Sequence, residues 1–163
     1  MSITTIEISK DYLHFGAAHF TIFSATEREN LHGHNFFVDA RFTSPVGADG
    51  LAFDYNIAKN ALKKLCDELD EQVLLATGSP HLRIEHDGDY IVALFAGERI
   101  PFLSRDVTLL ALANITVEQL AAWFVQQLHE NDALTSVPIT HAEIRVSSGP
   151  GQWASANWSA VQS

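Results

Sequence analysis

Leu31-His32-Gly33-His34-Asn35, running into Phe36-Phe37-Val38-Asp39-Ala40-Arg41-Phe42, is the stretch that organises this chain. It reads as the opening of a strand. Side chains of a strand alternate between faces, so His32 and His34 point the same way. Gly33 between them removes a side chain from the other face and lets backbone or ligand come close. A third histidine, His19, lies upstream in Phe15-Gly16-Ala17-Ala18-His19-Phe20. If these two segments pair as antiparallel neighbours, three imidazoles converge. Three protein nitrogens with an open fourth position are the coordination of a catalytic zinc, whereas structural zinc sites use four ligands, usually with cysteine. A bare His-x-His also occurs on ordinary polar strands, so the rest of the chain has to decide.

The chain has 163 residues, 47% hydrophobic and 18% charged, which suits one soluble globular domain spanning 1–163. The single cysteine, Cys66, excludes an internal disulfide and a cysteine-based zinc site within one chain. No apolar run approaches the ~20 residues of a membrane helix. The N-terminus has neither the basic nor the apolar region of a signal peptide. A reducing, cytoplasmic location is therefore expected. The formal net charge is −10, with 10 basic residues against 20 acidic ones. That balance leaves no basic face for nucleic acid and disfavours an anionic membrane. A small anionic substrate is compatible where a metal and a nearby arginine override the global field.

Residues 3–24, rich in Ile, Thr, Phe and Tyr, read as strand. Residues 24–31 are polar and without period, which predicts a loop. Residues 34–44 form the next strand, and the segment from Ser44 to Gly50 is a turn-rich connection. Over residues 55–69 the period changes. Ile57, Ala58, Ala61, Leu62, Leu65, Cys66 and Leu69 recur at three- and four-residue steps, an amphipathic helix. Asp54 or Asn56 is placed to cap it. Cys66 falls on the apolar stripe and reads as a small core hydrophobe. Residues 81–112 are expected as an insert, with two strands flanking Asp87-Gly88, a strong hairpin signal, and a second turn at Ala96-Gly97. Thr116 with Gln119 is a capping box that opens a second helix, whose stripe is Leu120, Ala121, Phe124, Val125 and Leu128. Pro138 to Ser148 is the last strand, followed by a tail with Trp153 and Trp158. This order predicts an α+β domain, an antiparallel sheet with two helices on one face and a β-hairpin insert.

Together these motifs resemble the 6-pyruvoyl-tetrahydropterin synthase / 6-carboxy-tetrahydropterin synthase family. The resemblance rests on Phe15 to His19, Leu31 to Asn35, Leu51-Ala52-Phe53-Asp54, Asp67-Glu68-Leu69-Asp70 and Asn114-Ile115-Thr116-Val117-Glu118. Phe102-Leu103-Ser104-Arg105-Asp106-Val107 is similar to a segment of longer bacterial members, and nearly the whole chain is covered. The resemblance implies a tunnelling fold, in which sheets of several subunits close into a barrel. It implies a homo-oligomer built from trimers, typically a hexamer, with active sites between subunits. The strands at 34–44 and 138–148 would then extend a sheet across subunits, with Trp153 and Trp158 covering seams. The implied substrate is 7,8-dihydroneopterin triphosphate or a related reduced pterin. The implied cofactor is Zn²⁺ on His19, His32 and His34. The implied reaction is a lyase step in which zinc polarises side-chain oxygens, a base moves a proton and triphosphate leaves.

Departures from the family pattern single out further residues. Arg28 stands where the family carries its usual catalytic cysteine, four residues before the first histidine of His-Gly-His. Glu27 matches the glutamate of a minority form associated with side-chain cleavage to 6-hydroxymethyl-7,8-dihydropterin. The family's Asp-His pair after the first helix appears as Asp70-Glu71. Its ring-anchoring glutamate corresponds to Ser148, and a serine accepts ring N–H donors less well than a carboxylate. The candidate catalytic residues are thus Glu27 as base, with Asp70 and Glu71 as a proton relay. The candidate substrate contacts are Arg28, for phosphate, and Thr116, Glu118 and Ser148. Plainer roles exist for each charge: solvated loop groups for Glu27 and Arg28, helix-end groups for Asp70 and Glu71, a dipole partner for Glu118. Two alternatives stand beside the lyase: a non-catalytic zinc-binding member serving as a binding or assembly subunit, and an enzyme on a non-pterin substrate.

Overall fold

The computed structural model describes residues 2–160; positions 1 and 161–163 of the expected domain lie outside the described residues. The chain runs β1 (Ile3–Ile8), β2 (His14–His19), β3 (His32–Pro45), α1 (Asn56–Leu69), β4 (Gln72–Ala76), β5 (Arg83–Asp87), β6 (Tyr90–Phe95), β7 (Glu98–Leu103), β8 (Val107–Leu110), α2 (Val117–Glu130), β9 (His141–Ser147) and β10 (Ala154–Ser159). Seven strands form one sheet in the order β10-β9-β3-β2-β4-β8, with β1 also on β3. β3 is its axis. With 14 residues it holds β2 along His32–Phe37 and β1 along Ala40–Pro45 on one edge, and β9 along Phe37–Thr43 on the other.

Phe36, Val38, Ala40 and Phe42 of β3 point inward and are buried, alternating with the more exposed Phe37, Asp39 and Arg41. α1 brings Leu62, Leu65, Cys66 and Leu69 to that face, and α2 brings Leu120, Ala121, Phe124 and Leu128. Phe15 stacks on Phe36 at 4.9 Å, and Phe124 approaches Phe15 at 6.0 Å. Such aromatic pairs add about 0.5–1.5 kcal/mol beyond their area burial. Helices segregated to one face of a sheet make this the expected α+β class. No helix among the described residues is long and apolar enough to cross a membrane.

Several details differ from the sequence-based expectation. Residues 3–24 are not one strand. A turn, with Leu13 N–H on the Lys10 carbonyl at 3.0 Å, separates β1 from β2 so that both reach the same edge of β3. The sheet is mixed, because β4 pairs in parallel with both β2 and β8. β4 has no signature in the sequence, because five residues directly after a helix carry no period of their own. The tail is a strand, β10, which pairs with β9 and takes the last expected strand off the sheet edge. Trp158 on it packs against the core. Asp54 receives the Asn56 N–H at 3.0 Å, but the residue at the helix cap is Tyr55, with no side-chain cap bond. Thr116 Oγ1 accepts the Gln119 N–H at 3.3 Å as expected, while the Gln119 side chain turns to the Ala113 N–H, so half of the capping box forms.

The insert is a separate antiparallel sheet, β5-β6-β7, turning at Asp87-Gly88 and Ala96-Gly97 where the sequence placed its turns; it ends at Leu103 rather than near 112, because β8 within the expected span pairs with β4 in the main sheet. It docks through a second core of Phe20, Ile22, Leu75, Leu82, Ile91 and Phe95.

Cys66 is fully buried, and that burial pushes its thiol up to about 12, with Asp67 acting in the same direction. A thiol held neutral is a poor nucleophile. Native protein should therefore resist thiol reagents at mildly alkaline pH and expose its one thiol only on denaturation. Fast labelling of the folded protein would show that the thiol is not locked in the core.

Candidate metal centre

β2 and β3 pair with His19 opposite His32 and Ala17 opposite His34. That antiparallel register is the condition under which the three histidines meet, and they do. Ring centroids stand 4.8 Å apart for His19–His32, 5.3 Å for His19–His34 and 4.7 Å for His32–His34. All three lie on the core-facing side of the sheet, at its end. Phe36 forms the floor, edge-on to His19 and His34 at 5.6 Å each. A Cβ at Gly33 would stand 3.4 Å from the Ala17 carbonyl oxygen, an ordinary contact, so the spacing of the two strands does not itself require glycine.

Hydrogen bonds decide which nitrogens face the site. His19 Nδ1 donates to the Ile115 carbonyl at 2.8 Å, and His32 Nδ1 to the Asn30 carbonyl at 2.7 Å. A carbonyl only accepts, so the proton sits on Nδ1 and the lone pair on Nε2. His19 Nε2 is buried and has no hydrogen-bond partner among the described residues. An orphaned buried polar atom is costly unless a ligand completes it. The Nε2 atoms of His32 and His34 are 3.0 Å apart, close to the ~3.3 Å expected for two nitrogens on one tetrahedral zinc. The ligand atoms of all three lie within 4.8 Å of one another. Burial draws His19 and His34 below the ordinary histidine range, and the His32 imidazole pushes both the same way. Neutral imidazole is the form that binds metal. The donor set, the tautomers and the carbonyls that orient them all fit zinc.

Some groups of the site were not legible beforehand. Glu29 accepts the Thr21 N–H at 2.9 Å and lies 3.8 Å from His32 Nε2. Burial raises the pKa of its carboxyl, but the Thr21 bonds and the nearby histidines outweigh that and leave it below its ordinary value. The carbonyls of Asn30 and Ile115 had no signal, since every residue has one. Asn114 did carry one, a polar side chain just ahead of a helix. Its amide brackets Ile22, accepting the N–H at 3.1 Å and donating to the carbonyl at 2.8 Å.

The other sequence candidates are spread more widely. Glu27 is exposed at the tip of a short loop, where its carbonyl accepts the N–H groups of Phe23 at 2.9 Å and Ser24 at 3.2 Å. Arg28 is engaged within the chain, donating through Nε and Nη2 to Glu98 at 3.0 and 2.6 Å and through Nη1 to the Glu29 carbonyl at 2.8 Å. Asp70 accepts the Gly16 N–H at 2.7 Å, and the Glu71 N–H donates to the Gly16 carbonyl at 2.7 Å, so the pair hooks the end of α1 onto β2. Glu71 lines an open cleft of about 590 Å³ with Gly16, Ala18, Gly33, Asn35 and Asp106, and His34 also borders it. Gly16, Ala18, Gly33 and Asn35 alternate with the histidines along their strands, so the cleft opens mainly on the other face of the sheet, with His34 at its edge. Among the described residues, Asp70 and Glu71 make no hydrogen bond or ion pair with the three histidines. Thr116 caps α2 beside the Ile115 that orients His19, and Glu118 sits in the first turn. Ser148 accepts from the Gln152 side chain at 3.1 Å in the turn between β9 and β10.

A family model described as 6-pyruvoyl tetrahydropterin synthase matches residues 7–158. A Methanocaldococcus jannaschii protein with the provisional name 6-carboxy-5,6,7,8-tetrahydropterin synthase is 27% identical over 144 residues, covering 87% of this chain and 88% of that protein. The 6-pyruvoyl tetrahydropterin synthase of Plasmodium falciparum is 29% identical with a TM-score of 0.91, covering 98% of this chain and all of the other (100%). A Plasmodium vivax 6-pyruvoyltetrahydropterin synthase, in a form where a catalytic glutamate is replaced by alanine, is 26% identical with a TM-score of 0.92, covering 98% of this chain and 100% of that one.

Proposed function

The chain belongs to the 6-pyruvoyl tetrahydropterin synthase family, and on that premise we propose that it is a zinc-dependent lyase acting on 7,8-dihydroneopterin triphosphate or a related reduced pterin. The observation that carries this is the convergence of His19, His32 and His34, with His19 Nε2 buried and without a partner among the described residues. Zinc, when bound, supplies a Lewis acid for a substrate oxygen at the position where charge develops. The chain supplies the rest. Ile115 and Asn30 hold two imidazoles in the ligating tautomer. Phe36 closes the floor of the site against water. Glu27 is the base that moves the substrate proton, a role supported by the catalytic glutamate of the P. vivax relative. Thr116, Glu118 and Ser148 are the proposed ring and side-chain contacts.

The experiment is direct. Zinc-loaded protein is incubated with 7,8-dihydroneopterin triphosphate and the mixture followed by mass. Substrate should disappear, with release of triphosphate or appearance of 6-hydroxymethyl-7,8-dihydropterin. Intact substrate would remove the lyase and favour the binding or assembly subunit, a reading supported by Arg28 standing tied to Glu98 where the family's reactive thiol is expected. Consumption of a different substrate alone would move the activity outside the pterins.

Assembly follows from the same reading. We propose a trimer-based homo-oligomer with sites between subunits, in which Asp70 and Glu71 act from a neighbouring copy. A seam along the expected strands at 34–44 and 138–148 is disfavoured, because β3 and β9 both have neighbours on either side within the chain. Edge strands such as β1, β8 and β10 are the proposed places for it. Trp158 serves the core, and Trp153, 40% exposed, lies under Arg145 at 4.8 Å. Light scattering at micromolar concentration should give a multiple of three chain masses; a monomer of 18.0 kDa would rule out an intersubunit site.

A further inference from the structure

The loop carrying Glu27 and Glu29 leaves the metal centre at His19 and returns to it at His32. Its two legs touch through an isolated bridge between Ile22 and Arg28, and through the Glu29 N–H on the Thr21 carbonyl at 2.9 Å. The outgoing leg is well held. Phe20 and Ile22 are buried in the second core, and Asn114 brackets the Ile22 backbone. The returning leg is polar; Glu29 ties it to the Thr21 backbone and the Asn30 carbonyl to His32, while its reach to the insert is through Arg28.

Arg28 reaches across to the insert. Its guanidinium lies 4.9 Å from the Phe20 ring and 5.8 Å from the Phe95 ring, within the range of cation–π attraction. Nε and Nη2 both meet Glu98 at the start of β7, while Nη1 holds the Glu29 carbonyl. The Arg28 side chain is only 17% exposed, against 54% for Glu98. A planar group stacked on aromatic faces with its donors directed at one carboxylate is a geometry lysine cannot copy. Phosphate binding would require Arg28 to leave all of these partners.

We infer that Arg28 is a positioning residue through which the β5–β7 insert holds the returning leg of the loop, and with it Glu27, in register with the histidine site. The position where the family resemblance expects a reactive cysteine has, in this chain, become a structural tie. The catalytic consequence rests on the lyase reading; the mechanical one does not.

Hydrogen exchange on the full-length, zinc-loaded protein separates them. Arg28→Ala and Glu98→Ala, which removes the accepting carboxylate, should each raise exchange of the amides across 23–31 by ~10-fold or more, the factor expected when a hydrogen bond to a charged group is lost. Amides of β3 and β9, and zinc content, should stay at parent values. If the protein turns over a pterin triphosphate, both variants should lower kcat more than they raise KM. A phosphate ligand would behave differently: Arg28→Ala would raise KM, and Glu98→Ala, by freeing the guanidinium, would not loosen the loop. Parent-like loop exchange in Glu98→Ala overturns the inference, whatever the activity. If no pterin is consumed, faster loop exchange still supports the tie, and the lyase reading alone fails.

Discussion

Replacing His32 by alanine is expected to strip the protein of stoichiometric zinc and, with it, of turnover, while leaving the fold intact. His32 sits at the start of β3 with its side chain 36% exposed, outside the packed core. The main bond lost within the chain is that from Nδ1 to the Asn30 carbonyl, a contribution of about 0.5–1.5 kcal/mol. For the metal the loss is larger. Changing groups that merely orient a ligand costs about 10–100-fold in metal affinity, so removing one of three ligands should cost more than ~100-fold. Turnover should fall by about 10³ or more, since the metal's share of transition-state stabilisation is several kcal/mol. Acid should act in the same direction. Protons compete with metal for Nε2, but burial draws His19 and His34 below the ordinary histidine range. Their neutral, ligating form therefore persists as pH falls through ~6.5, and zinc should leave only at lower pH. Elemental analysis giving one zinc per chain in His32→Ala would sink the three-histidine assignment.

Glu27→Gln should lower kcat by ~10²–10⁴, the usual worth of a general base, with zinc content and assembly unchanged. The structure offers a rival in Glu29, nearer the histidines at 3.8 Å from His32 Nε2. Two features argue against it. An oxygen of its carboxylate already accepts the Thr21 N–H, and that bond with the nearby histidines leaves the group below its ordinary pKa, which weakens it as a base. Glutamine at Glu29 can keep the Thr21 bond, so Glu29→Gln should retain most of the parent's turnover. Among the described residues Glu27 has no such tie on its exposed side chain, which can turn toward a substrate. Parent-like rates in Glu27→Gln, or a larger loss in Glu29→Gln, would move the base to Glu29 or to Asp70 and Glu71 of another subunit.

The two helices, the insert with both its turns, the core place of Cys66 and the same-face histidines of β3 could all be read from the chain. Each rests on a local period or a local turn residue, and those rules act over a few neighbours. The three-histidine cluster was conditional in the sequence: it required β2 and β3 to pair antiparallel in the right register, and a one-residue slip would have put His19 on the opposite face. Only the tertiary structure decided that, by placing His19 across from His32. It alone supplied β4 and β10, short strands whose identity comes from the partners they pair with. The same holds for the long-range partners of charged groups. A charge in a loop looks alike to its neighbours whether it faces water or a distant carboxylate. Arg28 became a tie because the fold brings Glu98, seventy residues on, to its guanidinium, and Asp70 became a strand anchor because α1 ends beside Gly16.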